Sequence, residues 1–537
     1  MGTHSDESIR EFATRHTAEV EPLHTAAAIA SWEFATTGKP EAMQRAAELQ
    51  KQYRGIYARP HEFDFLRQTS VEKFTDPVMK RMHRVLLNAY TGHQMSPESL
   101  AAIVDKEQEV AAVYNNFRAD FRGEKVPNNV LDEVLHKSAD VAERRDAWEA
   151  SKQIGPLVAD NIRELARMRN TEARRLHFSD YHTQSLRLQE FDVEELMALL
   201  GELDRASMKG FAEVKAKVDA EIAERCGLTD AEASLPWNYP DPYFQGAPRP
   251  KVEMDRYFAD KDLVAITTRF FDRIGLPVDD LIERSDLFER EGKNQHAFCT
   301  DIDRRGDVRV LCNVRPTARW MGTLLHEYGH AVYDKFIDPS LPWLLRSPSH
   351  VLTTEAVAIF FGSLVNTEAW LTEYAGVPAE EAAAVAKAAR EQDRMQKLIF
   401  TRWVLVMTHF ERGMYQDPDR DLNGLWWDLV QANQLVRKPE GRDMPDWATK
   451  IHVALAPAYY HNYLLGDMYA CQLRHYILNK VITSGDMREM VTSPKLGEFF
   501  RDGLFRMGDL FDWRETIRRT TGEPLNPAYF IGQTQEG

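Results

Sequence analysis

The stretch Trp320-Met-Gly-Thr-Leu-Leu-His-Glu-Tyr-Gly-His-Ala-Val-Tyr-Asp-Lys-Phe336 has apolar residues at steps of three and four. This spacing predicts an amphipathic helix. His326 and His330 are four residues apart and therefore lie on one helical face, where both imidazoles can reach one zinc ion. Glu327 lies next to them and can act as general base for a water molecule at the metal.

A catalytic zinc ion needs a third protein ligand and one open position. No third histidine follows at the short distance that metzincins use, but Glu355 comes 29 residues after His326. It lies among apolar residues in Thr353-Thr-Glu-Ala-Val-Ala-Ile-Phe-Phe361, where a carboxylate is costly unless it is paired or bound to a metal. The sequence therefore predicts His326, His330 and Glu355 as ligands of one Zn²⁺ per chain, the alternative being that Glu355 is an ordinary acidic residue. Three competing glutamates lie near predicted helix ends, namely Glu373, Glu380 and Glu381.

Helical periodicity continues outward from this stretch over most of the chain. Asp192 and Asp260 are expected to be helix N-caps. Only one hairpin is predicted, formed by residues 296–303 and the β-rich segment 307–314. With no repeat and no Gly/Ser-rich linker, residues 1–537 are interpreted as one mainly helical domain. The other predicted helical segments are Ser8–Tyr57, Asp76–Tyr90, Pro97–Phe121, Asn128–Leu176, Asp192–Arg225, Asp260–Ile274, Thr353–Leu371, Pro378–Gln416, Ala448–Ile482 and Lys495–Thr520.

The composition of the 537 residues is that of a folded, acidic protein. Lys and Arg number 67 and Asp and Glu 83, so the net charge is −16, which argues against a nucleic-acid or anionic-membrane partner. Hydrophobic residues make up 43% and charged residues 28%, which excludes wholesale disorder. No apolar run reaches the roughly 18 residues that span a bilayer.

The cysteines and the first residues predict a reducing compartment. The four cysteines are too few to staple a chain of this length and include no close pair. The start Met1–Ser8 has no basic segment followed by an apolar one, and hence no expected secretory signal. A cytoplasmic location is therefore expected.

With these motifs the chain resembles the gluzincin peptidases, most of all angiotensin-converting enzyme and bacterial dipeptidyl carboxypeptidases, and more distantly thimet-type oligopeptidases. One specific block is His296-Ala-Phe-Cys299, which begins 30 residues before His326. The converting-enzyme family has His-Ala-Ser-Ala at this distance, in an edge strand that holds the substrate backbone. The resemblance implies that His296 hydrogen-bonds the scissile region and that Ala297 and Cys299 pair with the peptide main chain. The alternative for His296 is a loop histidine before the hairpin.

The second specific block is Lys450-Ile-His452 followed by Tyr460-His-Asn-Tyr463. The family pattern is Lys-Phe-His and then Tyr-x-Arg-Tyr. By resemblance, Lys450 and Tyr460 bind the substrate's C-terminal carboxylate, His452 donates to a substrate carbonyl and Tyr463 stabilises the oxyanion. Gln245, in the segment 236–245, is implied as another carboxylate contact. The alternative for the tyrosines is a simple aromatic core.

Four departures from the family pattern change these expectations. The stretch from 452 to 460 is one residue longer, so Tyr459 is an alternative carboxylate anchor. Asn462 replaces the Arg that binds chloride in animal enzymes, so anion activation is not expected. Ile359 stands where the family has Asp, so the carboxylate that orients a zinc histidine must come from elsewhere. Asp467 replaces an aromatic residue of the substrate pocket, which favours cationic or polar substrate side chains.

The resemblance implies an all-α fold, mainly helical with a small β-hairpin before the zinc helix, in an elongated two-lobed body with a deep central cleft. It implies a zinc metallopeptidase that acts on short peptides and releases C-terminal dipeptides. The chain is expected to be a monomer or weak homodimer. A thimet-type endo-oligopeptidase is the nearest alternative, and a catalytically silent peptide-binding or scaffold protein is the alternative of another class. Release of single residues is less expected, because the thermostable carboxypeptidases carry His-Glu-Ser where this chain has Thr354 before Glu355.

Overall fold

The computed structural model describes residues 6–248 and 253–535. Residues 1–5, on which part of the leader prediction rests, lie outside these ranges. Helices dominate what is described, and the strands form two antiparallel hairpins, β1 (Ala119–Phe121) with β2 (Glu124–Val126) and β3 (Phe298–Asp301) with β4 (Val308–Leu311). The mainly helical fold class and the hairpin before the helix of His326 are confirmed.

The helices are numbered in chain order. The first eleven are α1 (Asp6–Thr37), α2 (Pro40–Tyr57), α3 (Pro60–Gln68), α4 (Pro77–Thr91), α5 (Pro97–Asn116), α6 (Asn128–Lys137), α7 (Val141–Lys152), α8 (Gly155–Arg175), α9 (Tyr181–Leu188), α10 (Val193–Cys226) and α11 (Asp230–Ala233). The others are α12 (Leu263–Arg273), α13 (Asp279–Arg284), α14 (Ala318–Lys335), α15 (Val351–Ser363), α16 (Glu368–Tyr374), α17 (Ala379–Gln416), α18 (Leu422–Gln434), α19 (Ile451–Leu455), α20 (Tyr460–Tyr476), α21 (Met487–Thr492), α22 (Pro494–Gly503), α23 (Trp513–Thr521) and α24 (Ala528–Gln535).

The described residues form two compact units. The first unit takes its residues from the ranges 1–94, 251–390 and 465–530, and the second from 95–250, 391–464 and 531–537. The first unit holds α14 and α15, which pack closely side by side, with the β3–β4 hairpin and α12 against α14. α14 begins where the Thr317 side chain accepts a hydrogen bond from the backbone N–H of Trp320, a standard N-cap.

In the second unit, buried cations hold the proline-rich segment 236–248. The Arg144 guanidinium of α7 donates to the backbone carbonyls of Trp237 and Tyr239. Lys152 donates to the carbonyl of Pro242 at 3.0 Å. Irregular buried backbone needs such partners, and they keep this segment ordered where it is described. Pro250, the next proline in the sequence, lies outside the described residues.

Several local predictions need correction. The predicted helix Pro97–Phe121 ends at Asn116, and its last three residues form β1. Four other predicted helices are interrupted: Asn128–Leu176 holds α6, α7 and α8, Thr353–Leu371 spans α15 and α16, Ala448–Ile482 holds α19 and α20, and Lys495–Thr520 holds α22 and α23.

Ser8–Tyr57 is two helices, because Gly38 has φ +67° and Pro40 starts α2. Asp262 caps α12 in place of Asp260, while Asp192 caps α10 as expected. The hairpin β1–β2 was not predicted, since its strands have three residues each and are largely charged. Across the described ranges, no helix is both long and apolar enough to cross a bilayer.

Candidate metal centre

The first unit brings His326, His330 and Glu355 together. One possible ligand atom from each side chain lies within 4.8 Å of the others. His326 Nε2 is 3.9 Å from Glu355 Oε2, and the two imidazole centroids are 5.0 Å apart. The two histidines come from one face of α14 and the glutamate from the facing turn of α15. Two imidazoles and a carboxylate at this spacing are a ligand set that divalent zinc accepts.

Both imidazoles are oriented by groups on α15. His330 Nδ1 lies 2.6 Å from Thr354 Oγ1, and the His326 ring is hydrogen-bonded to the backbone carbonyl of Ala358. An Nδ1–H that is bound in this way leaves Nε2 as the metal-facing atom. The expected orienting carboxylate is therefore replaced by a hydroxyl and a backbone carbonyl. Burial lowers the pKa of His326 to about 4 and that of His330 to about 3, so both rings are neutral, as metal ligands must be.

Glu327 lies on α14 beside the two histidines and is 7% exposed. Burial and the nearby Glu355 carboxylate raise the pKa of Glu327 to about 8. Burial likewise raises the pKa of Glu355. A carboxyl group in this environment can take up and give back a proton near neutral pH.

Strand β3 presents one edge that pairs with no other strand of the described residues. Ile302 N donates to Asp307 O, and the register pairs Thr300 with Arg309. Because antiparallel strands alternate the direction of their backbone groups, the N–H and C=O of Cys299 point away from β4. Cys299 is one of the two residues that the resemblance assigns to the peptide main chain; the other, Ala297, directly precedes β3. The far edge of β4 is already bonded to Asp286.

His296 precedes this edge and is exposed. Its backbone N–H donates to Asn294 Oδ1 at 2.9 Å. Burial and the charges of Asp334 and Glu327 raise the pKa of the Cys299 thiol. Cys299 is therefore a protonated, non-nucleophilic thiol near Glu327 and Asp334 of α14.

The second unit gathers the predicted carboxylate-binding residues. Lys450 Nζ lies 2.9 Å from Gln245 Oε1 and 5.8 Å from the centre of the Tyr460 ring. The His452 and Tyr460 rings are 5.0 Å apart. Burial lowers the pKa of Lys450 to about 8 against the opposing pull of Asp241 and Asp132. A cation, a phenol and an amide thus meet at one point, which is a group that suits an anionic chain end.

Of the two candidate anchors, Tyr460 has its ring near the Lys450 ammonium, with its centre 5.8 Å from Nζ. Tyr243, which was missed from the sequence, lies closer still, at 4.8 Å. Tyr459 instead packs edge-on against Tyr463, with centroids 5.1 Å apart. Tyr463 also contacts Phe400 and Tyr460, at 6.4 and 5.8 Å between centroids. Tyr459 thus contacts the ring of Tyr463, while Tyr460 contacts both that ring and the Lys450 ammonium.

Three further residues near these groups were missed from the sequence. Thr354 directly precedes the predicted third ligand, which was the available signal for a partner of His330. Gly466 lies against Glu355, since a Cβ there would be 3.1 Å from Glu355 Cβ. Asp241 accepts the backbone N–H groups of Tyr243, Gln245 and Gly246 and so shapes the loop that carries Gln245. An Asp before a proline and several turn residues was the signal for it.

Comparisons with known proteins find peptidases over most of the chain. Residues 282–536 match the model of peptidase family M3, and residues 3–212 match the model described as angiotensin-converting enzyme. The curated protein "Carboxypeptidase 1" of Bacillus subtilis (strain 168) is 24% identical over 261 residues, which cover 44% of this chain and 51% of that protein. The match thus spans about half the length of this relative.

Proposed function

We propose that this chain hydrolyses short oligopeptides with the help of one zinc ion. The premise is that it is a gluzincin-type metallopeptidase related to the angiotensin-converting enzyme and M3 families. The observation that carries the proposal is the convergence of two neutral imidazoles and one carboxylate within 4.8 Å. Both family models describe peptidases, and the second specific block of the sequence lies inside the M3 match.

The residues fit zinc, because each imidazole has its second nitrogen bound and its Nε2 available. His326, His330 and Glu355 would hold the ion. When bound, zinc supplies Lewis acidity, which polarises a scissile carbonyl and acidifies a water molecule.

Glu327 is the general base of this proposal. In its ionised form it takes a proton from the attacking water and then, as the acid, passes it to the nitrogen of the leaving amine. The outward N–H and C=O of Cys299, together with the backbone of Ala297, would bind an extended peptide by adding it to the edge of β3. By resemblance, Tyr463 and His296 donate to the oxyanion that forms on the scissile carbonyl.

Peptidyl-dipeptidase activity is the form of the reaction that we propose. Lys450, Tyr460 and Gln245 would bind the free C-terminal carboxylate, and His452 a substrate carbonyl, as in the converting-enzyme pattern. The M3 match keeps thimet-type endo-oligopeptidase activity as the second candidate. The name of the Bacillus relative, carboxypeptidase, adds release of single C-terminal residues as a third.

The test is product analysis by mass spectrometry on short peptides with free and amidated C-termini. Hydrolysis is expected to stop on addition of a chelator, return with zinc, and release dipeptides from free-acid peptides only. Glu327→Gln should abolish turnover and keep zinc bound. A protein that cleaves nothing in the presence of zinc would be the silent binding or scaffold protein, and equal cleavage of both peptide sets would favour the endo-oligopeptidase.

Three expectations remain predictions. They are that the chain is a single catalytic domain with a cleft, that it is a monomer or weak homodimer, and that it is located in the cytoplasm. None of the four cysteines, Cys226, Cys299, Cys312 and Cys471, forms a disulfide in the structure. Light scattering on the purified protein measures the oligomeric state.

A further inference from the structure

The turn before α20 contains a strained residue. Ala458 has φ +55° and is 2% exposed. It follows Pro457, and a proline followed by a residue of positive φ is the pattern of type II turns, which normally place Gly or Asn second. An alanine in this region is disfavoured and persists only where the surroundings hold it.

Two side chains, one in α17 and one directly after α9, form hydrogen bonds with the backbone N–H and C=O of Ala458. Its N–H donates to Glu411 Oε2 of α17 at 3.2 Å. Its C=O accepts from Nε2 of Gln189, the residue that ends α9, at 3.2 Å. Gln189 Oε1 in turn accepts from Asn462 Nδ2 at 2.9 Å, in the first turn of α20. Glu411 and Gln189 thus form a clamp around Ala458.

The Glu411 side of the clamp is buried. Glu411 is 1% exposed, and its second oxygen, Oε1, has no hydrogen-bond partner among the described residues. The nearby Arg169 guanidinium is already used by Glu107, the Tyr415 hydroxyl and the Ala454 carbonyl. Burial raises the pKa of Glu411 to about 8, so the carboxyl group is largely protonated at neutral pH. A neutral acid and two amides therefore hold the turn.

The helix that starts directly after the clamp carries both tyrosines of the proposed function. Tyr460 is the first residue of α20 and lies two residues after Ala458. Its ring contacts the Lys450 ammonium, His452 and Tyr463. Since one turn of helix sets the direction of both rings, a change in the dihedral angles of Ala458 would move Tyr460 and Tyr463 together.

We propose that Glu411 and Gln189 are positioning residues, which hold Ala458 in the left-handed conformation and thereby aim Tyr460 and Tyr463 at the substrate. This deepens the proposed function and rests on it. Neither residue touches substrate; both act through the turn.

The test compares Glu411→Ala, Gln189→Ala and the isosteric Glu411→Gln in the full chain with zinc. Hydrogen exchange of residues 456–463, followed by mass spectrometry, measures the clamp, and KM and kcat on free-acid and amidated peptides measure its effect.

Loss of one such hydrogen bond is expected to speed exchange by about tenfold. KM for free-acid peptides should rise by about five- to tenfold with the alanine variants, while KM for amidated peptides stays the same. kcat should fall for both peptide types through Tyr463. Glu411→Gln should keep exchange and kinetics within about twofold of wild type.

Asn170→Ala is the matched control. Asn170 is a buried amide of the second unit that also binds two backbone groups, the Tyr415 carbonyl and the Tyr181 N–H. It should lower stability and leave the ratio of free-acid to amidated KM unchanged. Three outcomes would overturn the proposal. The first is an equal change of the KM ratio in Asn170→Ala, and the second is unchanged hydrogen exchange in Glu411→Ala. The third is a Glu411→Gln variant that is as impaired as Glu411→Ala. If the wild type cleaves no peptide, the proposed function fails, and the exchange data alone still decide whether the clamp exists.

Discussion

At the scale of single residues, the hydroxyl of Thr354 carries a function that belongs to a carboxylate in many zinc sites. It binds His330 Nδ1 at 2.6 Å and so fixes the ring with Nε2 toward the ligand group. Thr354→Val keeps the size and removes the acceptor. We expect zinc affinity to fall by about tenfold, at the low end of the effect of such partners. Competition with a chromophoric chelator measures it.

Thr353→Val is the control for this variant. Thr353 is the preceding residue on α15, is fully buried and donates its hydroxyl to the His350 carbonyl. Loss of the Thr353 hydroxyl should lower the free energy of unfolding by about the contribution of one hydrogen bond. It should leave zinc affinity unchanged. Equal zinc affinities of the Thr354→Val protein and the wild type would show that the His330 contact has no role at the metal.

The lowered pKa of Lys450 predicts that the pH dependence of kcat/KM differs between free-acid and amidated peptides. Burial lowers the pKa of Lys450 from 10.5 to about 8, so the ammonium is present at pH 7 and is lost as the pH rises through 8. The ratio of kcat/KM for free-acid and amidated versions of one peptide should be constant below pH 7. Above pH 8 it should fall by about tenfold per pH unit toward the value of Lys450→Ala. Groups common to both reactions, including Glu327, cancel in this ratio. A ratio that is flat from pH 6 to pH 10 would remove Lys450 from carboxylate binding.

At the scale of helices, the metal centre depends on how closely α14 and α15 approach. A Cβ added to Gly329 would lie 3.0 Å from Ala358 Cα and 3.2 Å from Phe361 Cδ2. A Cβ added to Gly362 would lie 3.2 Å from His326 Cβ. Glycine at these two positions lets the helices pack closely enough for ligands from both to meet.

Gly329→Ala should therefore destabilise the protein although alanine favours helices. The overpacking costs about 1–3 kcal/mol and exceeds the gain in helix propensity of about 1 kcal/mol, so the thermal midpoint of the metal-free protein should fall. Zinc affinity should fall too, because α15 and Glu355 must shift. Gly201→Ala in α10 is the control, since its nearest neighbour is a flexible arginine at 3.5 Å, and it should raise the midpoint. A raised midpoint in Gly329→Ala would contradict the close approach.

The elements that could be predicted are those whose pattern is local. The periodicity of residues 320–336 indicates α14, and β-rich residues around a glycine turn indicate the hairpin β3–β4. Gly38 and the charged β1–β2 hairpin were missed, because one glycine or three residues give too weak a pattern against a long helical background. Thr354, Gly329 and Glu411 were missed for another reason. Their roles exist only once α15, α14 and the turn before α20 have packed against their neighbours, and spacing along the chain does not contain that information.

At the scale of the whole molecule, the sequence predicted three ligands that the structure brings within 4.8 Å of one another. The prediction was possible because two of them are four residues apart and the third is a charged residue in an apolar segment. The choice between Tyr459 and Tyr460 stayed open, since it depends on a turn held by residues about 50 and 270 positions away. The orienting groups of the histidines also came out differently, as a hydroxyl and a backbone carbonyl. Motif spacing thus predicts which residues do chemistry, and tertiary packing decides what aims them.

The last prediction concerns the stability of the whole chain. If His326, His330 and Glu355 bind one zinc ion only in the folded protein, zinc must raise the free energy of unfolding, by about 4 kcal/mol at a thousandfold excess over the dissociation constant. The thermal midpoint should then rise by several degrees when zinc is added to chelator-treated protein. Glu355→Ala should lose most of this shift, because it removes a ligand. Glu327→Gln should keep it, because Glu327 is the base and not a ligand, and this separates metal binding from catalysis. Calorimetry that shows the same zinc shift in Glu355→Ala and in wild type would place the metal elsewhere in the chain.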